Sequence, residues 1–262
     1  MWVESPQTLV EMRGIVKRFP GVLANDSANF TLLRGEVHAL LGENGAGKTT
    51  VFNTITGFHI PVKGRVIFSN IDITGRPTYQ IAKLGISRTF QNIRLFPNLT
   101  VLENVMIAAQ MHFNIPYLHT FLRTSLFYKL EKAIEEKALN ALELVGLRGV
   151  KDEIAKNLPS GDQRKLEIAR AIATEPRLVL LDEPAAGMNP RETDELMRMI
   201  KFLRDELDLT IILIEHDMRV VMNICERVIV LNYGEIIAEG TPDEIKTKPE
   251  VLEAYLGSTA VG

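Results

Sequence analysis

The run Gly42-Glu43-Asn44-Gly45-Ala46-Gly47-Lys48-Thr49 carries the spacing G-x-x-x-x-G-K-[ST]. In that spacing glycines let backbone N–H groups wrap around phosphate oxygens at the start of a helix. Lys48 would meet the β and γ phosphates of a nucleotide, and Thr49, with Thr50 behind it, would lead the helix and offer a hydroxyl to Mg²⁺. A second group is Asp182-Glu183-Pro184 after the apolar run Leu178–Leu181. A carboxylate at the end of a strand suits a nucleotide-bound magnesium, and the next carboxylate can accept a proton from an attacking water. Asp182 is the metal candidate and Glu183 the base.

Ile214-Glu215-His216-Asp217 ends another apolar run, which places His216 on the same sheet edge as Lys48 and Asp182 if their strands are parallel. A neutral imidazole there could contact the γ-phosphate; taken alone, His216 reads as a helix-capping or surface histidine. Gln91 follows the strand-like Ser87–Phe90 and offers an amide to a metal or a water, although by itself it is an ordinary loop residue. Leu158-Pro159-Ser160-Gly161-Asp162-Gln163-Arg164 leads into an amphipathic helix whose first free N–H groups favour an anion. Asp162 would repel phosphate, so simple capping of that helix is an open alternative.

These residues need a framework that delivers them to one place. The segments Leu9–Lys17, Ala28–Leu33 and Glu36–Leu41 read as strands, the last two joined by Arg34-Gly35, and a helix follows the glycine-rich loop to Gly57. Gly64–Phe68 and Ser87–Phe90 are further strands. Helical spacing fills Thr100–Gly146, with turn signals at Asn114-Ile115-Pro116. From there the order is helix Asp162–Thr174, strand Leu178–Leu181, helix Glu192–Glu206, strand Thr210–Ile214, helix Met218–Cys225 and strand Val228–Leu231. Such alternation predicts parallel strands with crossover helices. Tyr233-Gly234 turns the chain into a last strand, Glu235–Glu239, and Thr241 caps a short helix.

The composition is that of a globular α/β domain: 262 residues, 46% hydrophobic and 24% charged. A net charge of −3 leaves no basic footprint for nucleic acid, which is not expected as a partner. No apolar run approaches the roughly 20 residues of a membrane helix. No secretory signal is visible in Met1–Pro6, so a cytosolic compartment is expected. The single cysteine, Cys225, reads as a small buried residue.

Taken together and in this order, the segments resemble the ABC transporter ATPase family over about residues 9–257. The correspondence makes Gly42–Thr49 the Walker A loop, Gln91 the Q-loop residue, Leu158–Gln163 the signature, Leu178–Asp182 with Glu183 the Walker B strand, and His216 the switch histidine. The resemblance implies a single ABC ATPase domain over 1–262. It has a P-loop NTPase core with a mainly parallel sheet and an amino-terminal antiparallel β subdomain (8–99 and 160–257). A helical insertion covers about 100–175 and includes the signature helix. It implies ATP and Mg²⁺, the metal held by Thr49, Gln91 and Asp182. Glu183, His216 and Lys48 would be catalytic, and Gly42 to Thr50, Gln91, Ser160, Gly161 and Gln163 would bind ATP. Phe19 would stack on adenine, or else belong to the core. It also implies a second ATPase subunit closing face to face, with Ala185–Pro190 as the D-loop. The remaining partners are two transmembrane permease subunits and an extracytoplasmic solute-binding protein, with the chain held at the cytoplasmic face of the membrane.

Within the family, Ser87–Asn92, Leu95–Val101, Asp182–Pro190, Gly240-Thr241-Pro242 and Ala254–Gly257 resemble the ATPases of high-affinity branched-chain amino acid importers. The opening, Met12–Lys48, is closer to importers of simple sugars or nucleosides, which leaves that cargo as an alternative. The usual signature L-S-G-G-Q is altered here by Pro159, Ser160 and Asp162. Two other readings compete: a soluble ABC ATPase of translation or DNA repair, disfavoured by the single cassette, and a nucleotide-binding regulatory subunit without turnover.

Overall fold

A computed structural model describes residues 7–113 and 117–251. Strands β1 (Thr8–Phe19) and β2 (Val22–Leu33) form a long antiparallel hairpin, closed by Pro20 and by Gly21 at φ +78°. Proline presets the first turn position and glycine accepts the positive φ of the second. With β4 (Lys63–Phe68) and β5 (Ile71–Asp72) they make a four-stranded sheet in the order β2-β1-β4-β5. Strand β2 begins six residues before the expected Ala28, because Val22–Ser27 lacks apolar–polar alternation. Ser27 sits at φ +51°, within a stretch where the pairing register shifts.

The second sheet has the order β10-β9-β3-β8-β7-β6. Its members are β3 (Val37–Leu41), β6 (Ile86–Arg88), β7 (Leu178–Asp182), β8 (Thr210–Ile214), β9 (Arg227–Asn232) and β10 (Glu235–Gly240). All neighbours are parallel except β10, which returns antiparallel through Tyr233 and Gly234, both at positive φ. Every residue of β3, β7 and β8 is buried. Strands covered on both faces read as continuous apolar runs, which is why these were legible without alternation.

Alternate residues of those strands serve two cores. Val37, Ala39, Leu41, Val179, Leu181, Ile211 and Leu213 pack towards α3 (Val101–Ala109), α5 (Ser125–Leu144), α6 (Ser160–Ile172), α7 (Pro190–Leu207) and α8 (Met218–Ile224). Leu40, Leu178, Leu180, Ile212 and Ile214 pack on the other side with α1 (Lys48–Ile55), α2 (Thr78–Lys83) and the antiparallel sheet. The short helices α4 (Tyr117–Leu122) and α9 (Pro242–Thr247) precede α5 and follow β10. Capping boxes at Thr100–Glu103, Asn189–Glu192 and Thr241–Glu244 start α3, α7 and α9, each satisfying free N–H groups at both ends of the box.

Helix α6 starts at Ser160 rather than at Asp162. Pro159 occupies the N-cap without a side-chain bond, and Asp162 lies inside the first turn, 3.1 Å from Lys165 Nζ, so it does not cap the helix. Cys225 is buried, and burial pushes its thiol pKa up, as a small core residue requires. Among the described residues no helix is long and apolar enough to cross a membrane. The expected turn at Asn114–Pro116 and the stretch Ala254–Gly257 lie outside the described residues.

Candidate active site

Parallel register brings the ends of the core strands level. Leu40 pairs with Ile214, and Asp182 pairs with the same Ile214, while Arg88 pairs with Leu180. The loops that leave β3, β7, β8 and β6 therefore open on one rim, which is where open α/β sheets bind ligands.

The loop after β3 is shaped for backbone approach. Gly47 lies at φ +103°, and a Cβ there would fall 2.2 Å from Ala24 O; a Cβ on Gly42 would fall 2.4 Å from Leu231 O. Both positions demand glycine. Lys48 is buried and folds back over the loop, its Nζ donating to Gly42 O at 2.7 Å and to Glu43 O at 2.9 Å. Burial lowers the lysine's pKa, and the charges of Glu183, Asp182 and Glu43 work against that lowering. Those three carboxylates thus act electrostatically on the ammonium that the sequence analysis assigns to phosphate.

Glu183 stands between Gln91 and His216. Gln91 Nε2 donates to Glu183 Oε2 at 2.9 Å, and His216 Nε2 lies 2.7 Å from Glu183 Oε1. The glutamate itself adopts φ +48° with its N–H on Ile214 O. A non-glycine residue in that region is strained, and such strain concentrates where a side chain must be aimed. Glu215, also buried, supports the pair from behind by accepting from Ala185 N at 2.8 Å and His216 N at 3.2 Å. Burial raises the Glu215 pKa, against the pull of those N–H donors.

Asp182 is held by a residue that the sequence reading did not single out. Arg88 Nη2 donates to Asp182 Oδ2 at 2.8 Å and Arg88 Nη1 to Asn53 Oδ1 of α1 at 2.6 Å, both charged side chains being almost fully buried. In the sequence Arg88 stands out only as one member of the stretch Ser87–Asn92. Its position at the end of a short strand, two residues after an apolar one, was the available signal.

The hard-oxygen set of Thr49 hydroxyl, Asp182 carboxylate and Gln91 amide suits Mg²⁺, and the exposed Thr49 stands at the head of α1 beside the phosphate cradle. These residues fit the metal. The signature residues are not brought to this group by the fold. Gln163 donates to Leu158 O at 2.9 Å within its own turn, Ser160 is exposed, and Gly161 rests against Glu192. Phe19 is 37% exposed, edge-on to His59 at 5.1 Å, and Lys17 Nζ lies 5.1 Å from its ring centroid; it is therefore not a core residue. The hairpin that carries it also carries Ala24 and Asn25, which abut Gly47.

Comparison with known proteins gives a consistent set of likenesses. Residues 25–186 match the ABC transporter family model, and residues 235–261 match that of the branched-chain amino acid ATP-binding cassette transporter. The high-affinity branched-chain amino acid transport ATP-binding protein BraF of Pseudomonas aeruginosa is 44% identical over 95% of this chain and 98% of its own length. Among solved structures, the ADP conformation of an ATP-binding cassette of an ABC transporter superposes with a TM-score of 0.83 at 32% identity, covering 96% of this chain and 99% of that one. A dimeric post-hydrolysis cassette bound to ADP and phosphate superposes at 0.75 with 25% identity, covering 89% of this chain and 99% of that one.

Proposed function

The chain belongs to the ABC transporter family of ATP-binding cassettes, and from that premise we propose that it is the ATP-hydrolysing subunit of a branched-chain amino acid importer. The observation that carries the reading is the hydrogen-bonded set Gln91–Glu183–His216 at the mouth of the loop that Lys48 closes. A phosphate cradle alone binds nucleotide. A carboxylate aimed beside it by an amide and an imidazole provides for attack by water.

In this reading Lys48 gives up the carbonyls of Gly42 and Glu43 for phosphate oxygens, and the loop N–H groups from Gly42 to Thr50 hold the rest. Thr49, Gln91 and Asp182 would hold Mg²⁺, whose charge would offset that on the nucleotide's phosphates. Arg88 keeps Asp182 in place through one oxygen. Glu183 accepts the proton of the attacking water, and His216 exchanges its contact with Glu183 for one near the γ-phosphate. Phe19, exposed at the end of its hairpin, offers a face to adenine.

The family works as dimers with membrane permeases, and the first turn of α6, with Ser160, Gly161 and Gln163, is the surface we assign to the partner's nucleotide. A cavity of about 680 Å³, bounded by Phe58, Phe90, Phe96 and Met111, opens between the Gln91 loop and α3 and α6. It suits a segment of a permease subunit, which would hold the chain at the cytoplasmic face of the membrane. An extracytoplasmic binding protein would act through those permeases. The match of residues 235–261 favours branched-chain amino acids over sugars or nucleosides as cargo.

Glu183→Gln tests the assignment. It should retain ATP affinity while hydrolysis falls by roughly 10²–10⁴-fold, the range for removing a positioned base. Turnover near that of the unmodified chain, measured as phosphate release, contradicts the role of Glu183.

A further inference from the structure

The signature helix is tied to the reaction centre of its own chain by two buried charges. Arg164 and Glu167 lie on the inward face of α6 with side chains only 6% and 4% exposed. Arg164 Nη1 donates to Phe90 O at 2.8 Å and to Glu167 Oε2 at 2.9 Å, while Nη2 donates to Gln91 O at 3.0 Å. Glu167 Oε1 accepts from Arg94 N at 2.7 Å. Arg170, one turn on, also donates to Arg94 O. Taking an ion pair out of water is unfavourable unless its remaining hydrogen-bonding capacity is used, and an apolar pair would fill the same space without that penalty. Here the capacity is spent on the backbone of a single loop, residues 90–94. The guanidinium fork supplies two donors in one plane, matched to two consecutive carbonyls, where a lysine keeps the charge and one such contact and an apolar side chain keeps neither.

That loop carries Gln91, whose side chain bonds Glu183. The path from helix to hydrolytic carboxylate is therefore Arg164 to the Gln91 carbonyl, and the Gln91 amide to Glu183. We propose that Arg164 and Glu167 are positioning residues, a clamp through which α6 sets Gln91 on Glu183. A displacement of the helix's first turn by the partner chain's nucleotide is then read at this chain's own site. The inference rests on the function proposed above and deepens it. The clamp has a second face: Phe90, Arg94, Glu167 and Arg170 all border the 680 Å³ cavity. The Arg94 guanidinium lies 4.1 Å from the Phe90 ring centroid, and that of Arg170 lies 5.2 Å from Phe96. A segment seated there presses on the same residues that hold Gln91. Burial raises the Glu167 pKa, against the lowering pull of the Arg94 N–H and of Arg164.

The test is a double-mutant cycle on the full chain assembled with its membrane subunits, using Arg164→Met, Gln91→Ala and the two combined. Arg164→Met should lower kcat about tenfold and leave the KM for ATP within about twofold, the pattern of an interaction made only on the way to reaction. The combined variant should be no slower than Gln91→Ala, because Arg164 acts through Gln91. A purely structural role moves melting temperature instead, and gives additive losses. A combined variant about tenfold slower than Gln91→Ala overturns the clamp. Since loss of the guanidinium strands Glu167, Arg164→Lys serves as the second variant. It keeps the charge and one carbonyl contact, and should recover kcat to within about threefold of the unmodified protein. A well-folded Arg164→Lys as slow as Arg164→Met also counts against the clamp. Absence of hydrolysis by the unmodified assembly overturns the clamp and the parent function together, whereas normal hydrolysis with additive losses overturns the clamp alone.

Discussion

At the carboxyl rim of the parallel sheet the candidate side chains are joined to residues of distant segments, whereas at the first turn of α6 they bond only within the helix and the residues leading into it. Lys48 holds two loop carbonyls, Asp182 holds Arg88, and Glu183 is shared by Gln91 and His216. On α6, Gln163 bonds Leu158 O, Asp162 bonds Lys165, and Ser160 is exposed at a helix start that has no side-chain cap. In the function proposed above, the rim takes up nucleotide within a single chain, and the uncapped start of α6, with its free N–H groups, supplies half of a site completed by the partner's nucleotide.

Breaking the rim should produce the largest effect. Gly47→Val sets a branched side chain at φ +103° with its Cβ 2.2 Å from Ala24 O. Strain of about 3 kcal/mol in the cradle corresponds to roughly a hundredfold loss of ADP affinity for the isolated chain, and hydrolysis should vanish with it. Nucleotide titration checks this directly. Breaking the other half should leave that titration untouched. Gly161→Leu intrudes on Glu192, whose side chain is 3.4 Å from a Cβ at that position, and shifts the helix start. Hydrolysis by the assembled dimer should fall roughly thirtyfold, because misplacing a positioning group by an ångström costs up to about a hundredfold. ADP affinity of the single chain should stay within about twofold. Equal losses in both assays would erase the distinction between the two regions. Ser160→Ala sharpens it further, since one neutral hydrogen bond is worth about 1 kcal/mol, or roughly fivefold in turnover and nothing in single-chain binding.

The difference between the two regions also explains what could be read from the sequence. The parallel core was legible because β3, β7 and β8 are apolar throughout and alternate with capped helices, so the order of elements fixed which loops share a rim. Gln91, Glu183 and His216 followed from their places after strands. The start of β2 at Val22 was not legible, since Val22–Ser27 carries no alternation and is held by pairing with β1. Nor were the roles of Arg88, Arg164, Glu167 and Glu215, whose charged side chains are covered by the fold. In a sequence a charge reads as a solvated face, and only tertiary packing reveals which carbonyl or carboxylate it meets. One signal was present: Gly161, Arg164, Ile168 and Ile172 lie on one face of α6, so an arginine stands in the apolar stripe.

Phe19 belongs to neither region, and the smallest effect belongs to it. Its hairpin reaches the rim through Ala24 and Asn25, and the ring, 37% exposed, lies edge-on to His59 and near the Lys17 ammonium. A side chain left exposed beside a phosphate cradle gains from stacking on a base, an interaction of about 0.5–1.5 kcal/mol beyond area burial. Phe19→Ala should therefore weaken ATP and ADP equally, by roughly fivefold, and Phe19→Tyr should restore both. The equality is informative, because a base contact is blind to the γ-phosphate, whereas a defect at Lys48 or Glu183 is not. Affinities unchanged in a fluorescent-nucleotide titration would remove Phe19 from the site and leave the ring as surface cover for His59 and Lys17.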